Sequence, residues 1–364
     1  MRSFFNHRRY STIYSRAAVM LLVLSCIGLF SSCHRYDAGY EFRAAAAKGD
    51  LAKVQALLKN HPDLVFSKNK IGATALHWAA FYGHKDVAEL LMASNANVNA
   101  KINDGVTPLY WAALSGHKDV AELLLANHAD VNAGDKYGNT PLHSAVSQNH
   151  KDMAVLLLAN GADVNARSHN GTAAMRWVLE LLLPEKDDET DRGWTPLLYA
   201  AHKGYVDVTE VLLANKADVN ARNDNGYTPL NIAAYYDHKD VAALLLAHGS
   251  DVNARNDSGY TPLNTAAYYD RKDMVELLLA NKANVNAGDN RGCTPLLWAA
   301  ALGHKDVAEL LIANGANVDA LTNKGETPLH WAIVKGHKDV ADLLREHGGH
   351  DIGSNFFSRE WNHP

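Results

Sequence analysis

The sequence predicts an all-α fold, a solenoid of about ten stacked helix-turn-helix units with β-turn fingertips, one of them truncated. Three observations support this. The tripeptide Thr-Pro-Leu recurs along the chain, most of its copies start at one constant interval, and each is followed by two apolar stretches with helical spacing. A fixed period of roughly 20 to 50 residues is typical of repeat proteins, in which each unit contacts only its neighbours.

The Thr-Pro-Leu copies cover most of the chain. They begin at Thr107, Thr140, Thr195, Thr228, Thr261, Thr294 and Thr327, and Thr74-Ala75-Leu76 is an earlier variant. The number of residues between successive Thr-Pro-Leu copies is the same as that between Thr107 and Thr140, except in one place. The gap from Thr140 to Thr195 is longer than one interval and shorter than two.

Each unit carries signals for two helices. Thr is a good N-cap and Pro is favoured at the first helical position, so Thr-Pro begins a short helix. A glycine such as Gly83 or Gly116 accepts the left-handed conformation that ends a helix. Apolar residues at helical spacing, as in 120–125, then predict a second helix. One such pair cannot bury its apolar face alone, so the units must stack.

These residues resemble the ankyrin repeat. The fullest match is 325–332, Gly-Glu-Thr-Pro-Leu-His-Trp-Ala, followed by Gly336-His337 and Leu343-Leu344. The resemblance covers residues 40–349, with a degenerate first unit at about 40–70 and eight regular ones. It implies an interaction protein with no cofactor and no enzymatic activity, which binds a protein partner through its fingertip turns and the exposed side of its first helices.

The irregular unit lies at about residues 167–194. Residues 173–183 form one apolar helical stretch without the Gly-His break between helices, Pro184 ends it, and a charged loop follows at 185–192. Two consequences are open: a break in the superhelix, or a surface change that the neighbouring units absorb. The acidic loop lacks a calcium-binding pattern and is expected to be solvated.

The N-terminus is expected to be a lipoprotein signal peptide, residues 1–32, followed by a short tether, 33–39. A basic segment precedes the apolar run 17–30, which is shorter than the roughly 20 residues that span a bilayer. The Ser-Ser-Cys ending resembles a bacterial lipobox, so Cys33 is predicted to be the lipidated first residue. An ordinary cleavage site near Cys33 and lipidation at Cys26 are the alternatives, and cleavage at Cys26 would leave apolar residues on the product.

These features predict a monomer in the bacterial cell envelope, periplasmic or associated with the outer membrane, that contacts the membrane through its lipid alone. The formal net charge is -5 and no basic block occurs beyond the first residues, so nucleic acid is not expected as a partner. Cys293 would be the one cysteine free of the signal and the lipid. The tail, 350–364, carries Phe356, Phe357 and Trp361 and is expected to fold back on the last repeat or to be disordered.

Histidine and tryptophan recur at fixed places in the repeats. One histidine set follows the end of the first helix: His84, His117, His150, His238, His304 and His337. In ankyrin repeats such histidines hydrogen-bond the backbone, and His77, His143 and His330 are interpreted in the same way. Metal ligands must converge, whereas a solenoid spaces equivalent residues along an axis, so no metal site is expected. The tryptophans Trp78, Trp111, Trp298 and Trp331 are expected between repeats.

The predicted partner surface is a group of aromatic residues on the concave face, expected to point away from the stack. Its members are Trp194, Tyr227, Tyr235, Tyr236, Tyr260, Tyr268 and Tyr269, with His202 and Lys203 beside them and Phe81 and Tyr82 as an outlying pair. Aromatic residues dominate binding hot spots. The alternative is that the near-identical repeats 221–253 and 254–286 share tyrosines through recent duplication. The function predicted is a lipid-anchored protein-interaction scaffold, and the alternative is an accessory or inhibitor protein that protects or regulates an exported enzyme.

Overall fold

The computed structural model describes residues 37–169 and 192–352. Within those two ranges the chain forms eighteen α-helices, one 3₁₀ helix at Pro62–Phe66 and no strand, which confirms the all-α prediction. The α-helices, numbered α1 to α18 in chain order, are Ala38–Lys48, Leu51–Asn60, Ala75–Tyr82, Lys85–Ala93, Pro108–Ser115, Lys118–Ala126, Pro141–Ser147, Lys151–Ala159, Pro196–Lys203, Val206–Ala214, Pro229–Tyr236, Lys239–Ala247, Pro262–Tyr268, Lys272–Ala280, Pro295–Leu302, Lys305–Ala313, Pro328–Lys335 and Lys338–Glu346.

Three predicted segments lie outside the described residues: the signal sequence with Cys33, the truncated unit at 170–191, and the tail from residue 353. No described helix is long and apolar enough to cross a bilayer.

The first helix of each repeat begins and ends as the sequence predicts. Thr107 caps α5, and its Oγ1 accepts a hydrogen bond from the Tyr110 N–H at 3.3 Å. Gly116 ends the helix in the left-handed conformation, with φ 77°. Asp237 adopts the same conformation after α11, with φ 64°, which a short polar side chain tolerates better than most.

The repeats stack through like helices. Each first helix packs on the first helices of its neighbours, and each second helix on the neighbouring second helices. The alanine pair Ala112-Ala113 is fully buried, as are Val120, Ala121 and Leu124 on α6. Burying a leucine side chain contributes about 2 kcal/mol, so a repeat loses much of its stabilisation without a neighbour. A continuous apolar core therefore runs along the stack.

An asparagine ladder, which the sequence analysis did not predict, joins the loops after the second helices. Asn99 Oδ1 accepts a hydrogen bond from the Asp130 N–H at 2.8 Å, and its Nδ2 donates to the His128 carbonyl at 3.1 Å. The Oδ1 contact recurs at 2.7–2.9 Å from Asn132, Asn165, Asn220, Asn253 and Asn286. Each repeat thus satisfies a backbone donor of the next one.

The repeats on either side of residues 170–191 stack directly on each other. Helix α7 contacts α9, and α8 contacts α10. In the ladder Asn165 reaches Asp218 across 53 residues, whereas Asn132 reaches Asp163 across 31. The extra separation equals the length of the segment 170–191. Of the two consequences left open for this segment, the structure favours the second, in which the neighbouring units absorb the change, and the described residues form nine successive units of one stack.

A regular fingertip turn forms from residues on both sides of this segment. The Ser168 N–H donates to the Trp194 carbonyl at 2.8 Å, and the Gly193 N–H donates to the Ser168 carbonyl at 2.8 Å. The regular turn 135–139 contains the same two hydrogen bonds, at 2.9 and 3.0 Å. The glycines match as well, with φ 75° at Gly193 and φ 79° at Gly138. Residues 170–191 are therefore an insertion within one fingertip turn.

Candidate functional site

Eight aromatic rings from four consecutive repeats form a continuous row, the aromatic strip. In spatial order they are Trp194, His202, Tyr236, Tyr235, Tyr269, Tyr268, Trp298 and Tyr260. Neighbouring ring centroids lie 4.4–5.9 Å apart, mostly in edge-to-face geometry. Such pairs contribute about 0.5–1.5 kcal/mol each beyond their buried area, so the rings hold one another in place.

The tyrosine pairs occupy the last turns of two consecutive first helices. Tyr235-Tyr236 follow the buried alanine pair of α11, and Tyr268-Tyr269 hold the same positions, one repeat later, around the end of α13. Because the repeats stack in register, the ring of Tyr235 meets that of Tyr269 at 4.7 Å. The sequence prediction that these four side chains gather in one place is confirmed.

The prediction that the side chains point away from the stack is wrong. All four tyrosines are half-buried, and Tyr236 packs against the apolar core. Trp194 is 5% exposed, because the residue before the N-cap threonine lies at the base of the fingertip. Its carbonyl accepts hydrogen bonds from the Ser168 N–H and from His143 Nε2 at 3.2 Å. Trp194 therefore packs beneath the accessible rings of the strip, in contact with His202, and exposes little surface to a partner.

The other end of the strip is covered by an arginine. Arg291 donates from Nη2 to Tyr260 Oη at 2.6 Å and to Asp289 Oδ2 at 3.1 Å, and its Cζ lies 4.9 Å from the Trp298 ring centroid. Burial raises the pKa of Tyr260. Tyr260 is therefore engaged within the protein. Trp298, predicted only as core, is 7% exposed and also belongs to the strip, and sequence reasoning missed Arg291 altogether.

The remaining predicted residues flank the tyrosine pairs. Tyr227 is half-buried against the core, His202 is half-buried, and Lys203 is exposed at the edge. Burial raises the pKa of Tyr227 and of Tyr269, and a hydrogen bond with Tyr235 raises that of Tyr269 further. These two phenols stay protonated at neutral pH, so they offer hydroxyl groups and ring edges rather than charge.

The outlying pair Phe81 and Tyr82 belongs to a separate cluster near the N-terminal end. Both residues are half-buried, and the Phe81 ring lies 5.6 Å from Trp111, which is fully buried. Trp78 meets Trp111 at 5.1 Å. Much of this cluster is therefore inter-repeat packing.

The structure confirms a hydrogen-bonding role for many of the histidines. His84 Nε2 donates to the Ala47 carbonyl and His238 Nε2 to the His202 carbonyl, each at 3.0 Å. His77 and His143 are buried at the third position of their helices, where Nδ1 accepts from the N–H of the N-cap threonine at 3.2 Å. Burial lowers the pKa of both to about 4, so they are neutral at physiological pH. Over residues 37–169 and 192–352, no three His, Cys, Asp or Glu side chains converge to hold a metal ion.

The contact between the residue that ends a first helix and the residue before the second helix of the next repeat, here called a junction, differs beside the tyrosines. At an ordinary junction the ring of His238 packs over Gly204, where an added Cβ would lie 2.6 Å from Nδ1. After Tyr236, aspartate replaces glycine and arginine replaces histidine: Asp237 Oδ2 lies 3.6 Å from Arg271 Nη1. The paired substitution replaces a glycine–histidine contact with a charged one.

Comparison with known families agrees with this architecture. The family model described as ankyrin repeats (3 copies) matches residues 42–135, 101–168, 170–256, 222–289, 248–322 and 287–355. The chain belongs to the ankyrin-repeat family. Ankyrin-repeat proteins are in general non-catalytic scaffolds, and the repeats suggest a role in protein-protein interaction for this chain.

A stretch of 56 residues is 45% identical to part of the E3 ubiquitin-protein ligase MIB2 of Gallus gallus. The match covers 15% of this ankyrin-repeat chain and 6% of the ligase. The similarity is therefore confined to a short stretch and does not extend to the ligase as a whole.

Proposed function

We propose that this protein is a binding scaffold that holds a protein partner on the accessible part of the aromatic strip. This surface consists of Tyr235, Tyr236, Tyr268 and Tyr269, with His202 and Lys203 at its edge. The observation that supports it most is the continuous contact of these four tyrosines across two consecutive repeats, at the C-terminal ends of the first helices.

The packing of the strip makes it suited to binding. Rings already held by their neighbours lose little rotamer freedom when a partner arrives, and that freedom otherwise costs about 0.5–1.5 kcal/mol per side chain. Half-buried tyrosines present both an apolar ring edge and a hydroxyl group, the combination enriched at interfaces. A partner with apolar side chains flanked by hydrogen-bonding groups fits this surface.

The test compares the wild type with the double variant Tyr235→Ala/Tyr269→Ala, which removes the central ring contact and leaves Tyr236 on the core. The partner is first identified by affinity capture from the native envelope, and its Kd is then measured by titration. Loss of two hot-spot residues should weaken binding by at least about 30-fold, or 2 kcal/mol. Tyr40→Ala is the matched control, because Tyr40 is 51% exposed and lies at the opposite end of the stack. An unchanged Kd in a folded double variant would move the binding site elsewhere.

The identity of the partner decides between two forms of this function. An exported enzyme whose activity or lifetime changes on binding would make the chain an accessory or inhibitor protein. A partner without such a response would make it a general scaffold.

The proposal includes export and a lipid anchor on Cys33. It is supported by the order of a basic segment, the apolar run 17–30 and Ser-Ser-Cys in the sequence. Replacement of Cys33 by Ser, followed by membrane fractionation and mass measurement, tests it. Loss of a lipid mass and of membrane association is expected, and membrane association that persists without any lipid on the wild type would contradict it.

A further inference from the structure

The last repeat exposes an apolar residue at a position that is covered in the other repeats. Position six after the N-cap threonine is fully buried in the seven preceding regular repeats, as at Ala267 and Ala300. In the last repeat this position holds the larger Ile333, which is 39% exposed. Polar residues normally cover a terminal repeat, so a larger apolar residue indicates that something else covers Ile333.

A groove lies beside Ile333 between α17 and α18. It has a volume of about 190 Å³ and is lined by Ala332, Ile333, Gly336, Lys338, Ala341 and Arg345. A cavity of about 150 Å³ accommodates a benzene ring, so the groove has room for one aromatic side chain.

The chain that follows α18 is already fastened to this repeat. The Thr327 N–H donates to the Ile352 carbonyl at 3.0 Å, and the Ile352 N–H donates to Thr327 Oγ1 at 3.3 Å. Asp351 Oδ1 lies 2.9 Å from His330 Nδ1, and His350 Nδ1 lies 2.7 Å from Asp319 Oδ2. These contacts bring Ile352 to the N-terminal end of α17.

We propose that the tail docks on this open face, with Phe356 or Phe357 in the groove, and acts as the C-terminal cap of the stack. Helix α17 has eight residues and is therefore about 12 Å long. The four to five residues from Ile352 to the phenylalanines span up to about 13–18 Å when extended, which reaches Ile333. The rim of the groove carries Lys338 and Arg345, and Arg345 Nη1 lies 2.8 Å from Asp342 Oδ1.

A photocrosslinking experiment on the full chain tests the contact directly. A benzophenone analogue of phenylalanine replaces Phe356 or Phe357, and the crosslinked peptides are identified by mass spectrometry. A crosslink within one chain to the segment 332–345 is expected. Crosslinks to the aromatic strip, crosslinks between two copies, or no crosslink at all would overturn the proposal.

Hydrogen exchange measures the capping effect independently. Phe356→Ser/Phe357→Ser should raise amide exchange in α18 at least about tenfold and leave α11 unchanged, because only the terminal repeat loses cover. Ser354→Ala/Ser358→Ala, which alters the tail without removing its rings, is the matched control. Equal exchange in the two double variants would overturn the capping role.

Discussion

Deletion of residues 170–191 should leave the ankyrin stack intact. The variant joins His169 to Arg192, so that residues 168, 169, 192, 193 and 194 run in the order of the regular turn 135–139. The hydrogen bonds that close this turn already form in the full chain. The turn is already closed in the described stack, and the deletion shortens the connection between His169 and Arg192.

The expected gain follows from loop closure. The Ser168–Trp194 hydrogen bond closes a much longer connection than the equivalent Asp135–Asn139 bond. With a closure cost of (3/2)RT ln n, a connection about 6.5 times as long costs about 1.7 kcal/mol more to close. The prediction is thus a small gain in stability and no loss.

Urea denaturation measures the change in the midpoint of unfolding on deletion. Hydrogen exchange in α8 and α10 shows whether the change in stability lies in the repeats on either side of the deletion. Faster exchange in both helices, or a loss of more than about 1 kcal/mol, would show that the insertion packs on the stack and would refute the argument. The partner's Kd, measured on the same variant, shows separately whether the insertion takes part in binding.

Two further predictions concern single side chains at the junctions. His143 has a pKa of about 4 when folded, below its unfolded value of 6.5, so its contribution is complete above pH 6.5 and is lost as the pH falls towards 4. The variant His143→Asn copies the cap formed by Asn231 and has no titrating group at this position. Between pH 7 and pH 5 its free energy of unfolding, measured in urea, should fall by about 2 kcal/mol less than that of the wild type. An equal fall in the two proteins would contradict this. Gly204→Ala should cost about 2–3 kcal/mol, because the alanine is strained at φ 71° and displaces the His238 ring. Gly249→Ala, at φ 83°, has the strain alone, since no atom of the described residues lies within 4 Å of the added Cβ, and an equal cost for the two variants would remove the steric part of the reasoning.

Local signals in the sequence predicted the helices well. Thr-Pro, the alanine pair and glycine act within a few residues, and they set the limits of helices such as α5 and α17 without help from distant contacts. The recurring histidines were also predictable, because each has the same neighbours in every regular repeat.

Features that depend on two repeats at once were harder to predict. The burial of Trp194 depends on Ser168 and His143, which belong to the preceding repeat. The insertion resembles a truncated repeat in the sequence because its apolar stretch has the pattern of a second helix. A comparison of residues 168, 169 and 192–195 with the turn 135–140 would have shown an intact turn on either side of it.

The coupled residues Asp237 and Arg271 set a limit on rearrangement of the array. Loss of the repeat that carries Arg271 would place Asp237 against His304, a pairing that the array already contains at Asp270 and His304, where Oδ1 and Nδ1 lie 3.7 Å apart. Loss of the repeat that carries Asp237 would instead place Arg271 against Gly204 and leave the guanidinium without its carboxylate. Repeats that look interchangeable along the sequence therefore differ in which neighbours they can stack on, because the residues at each junction must match. Duplication or loss of units in this protein is tolerated best where both sides of the new boundary keep a pairing that the array already contains, and least where Arg271 loses Asp237.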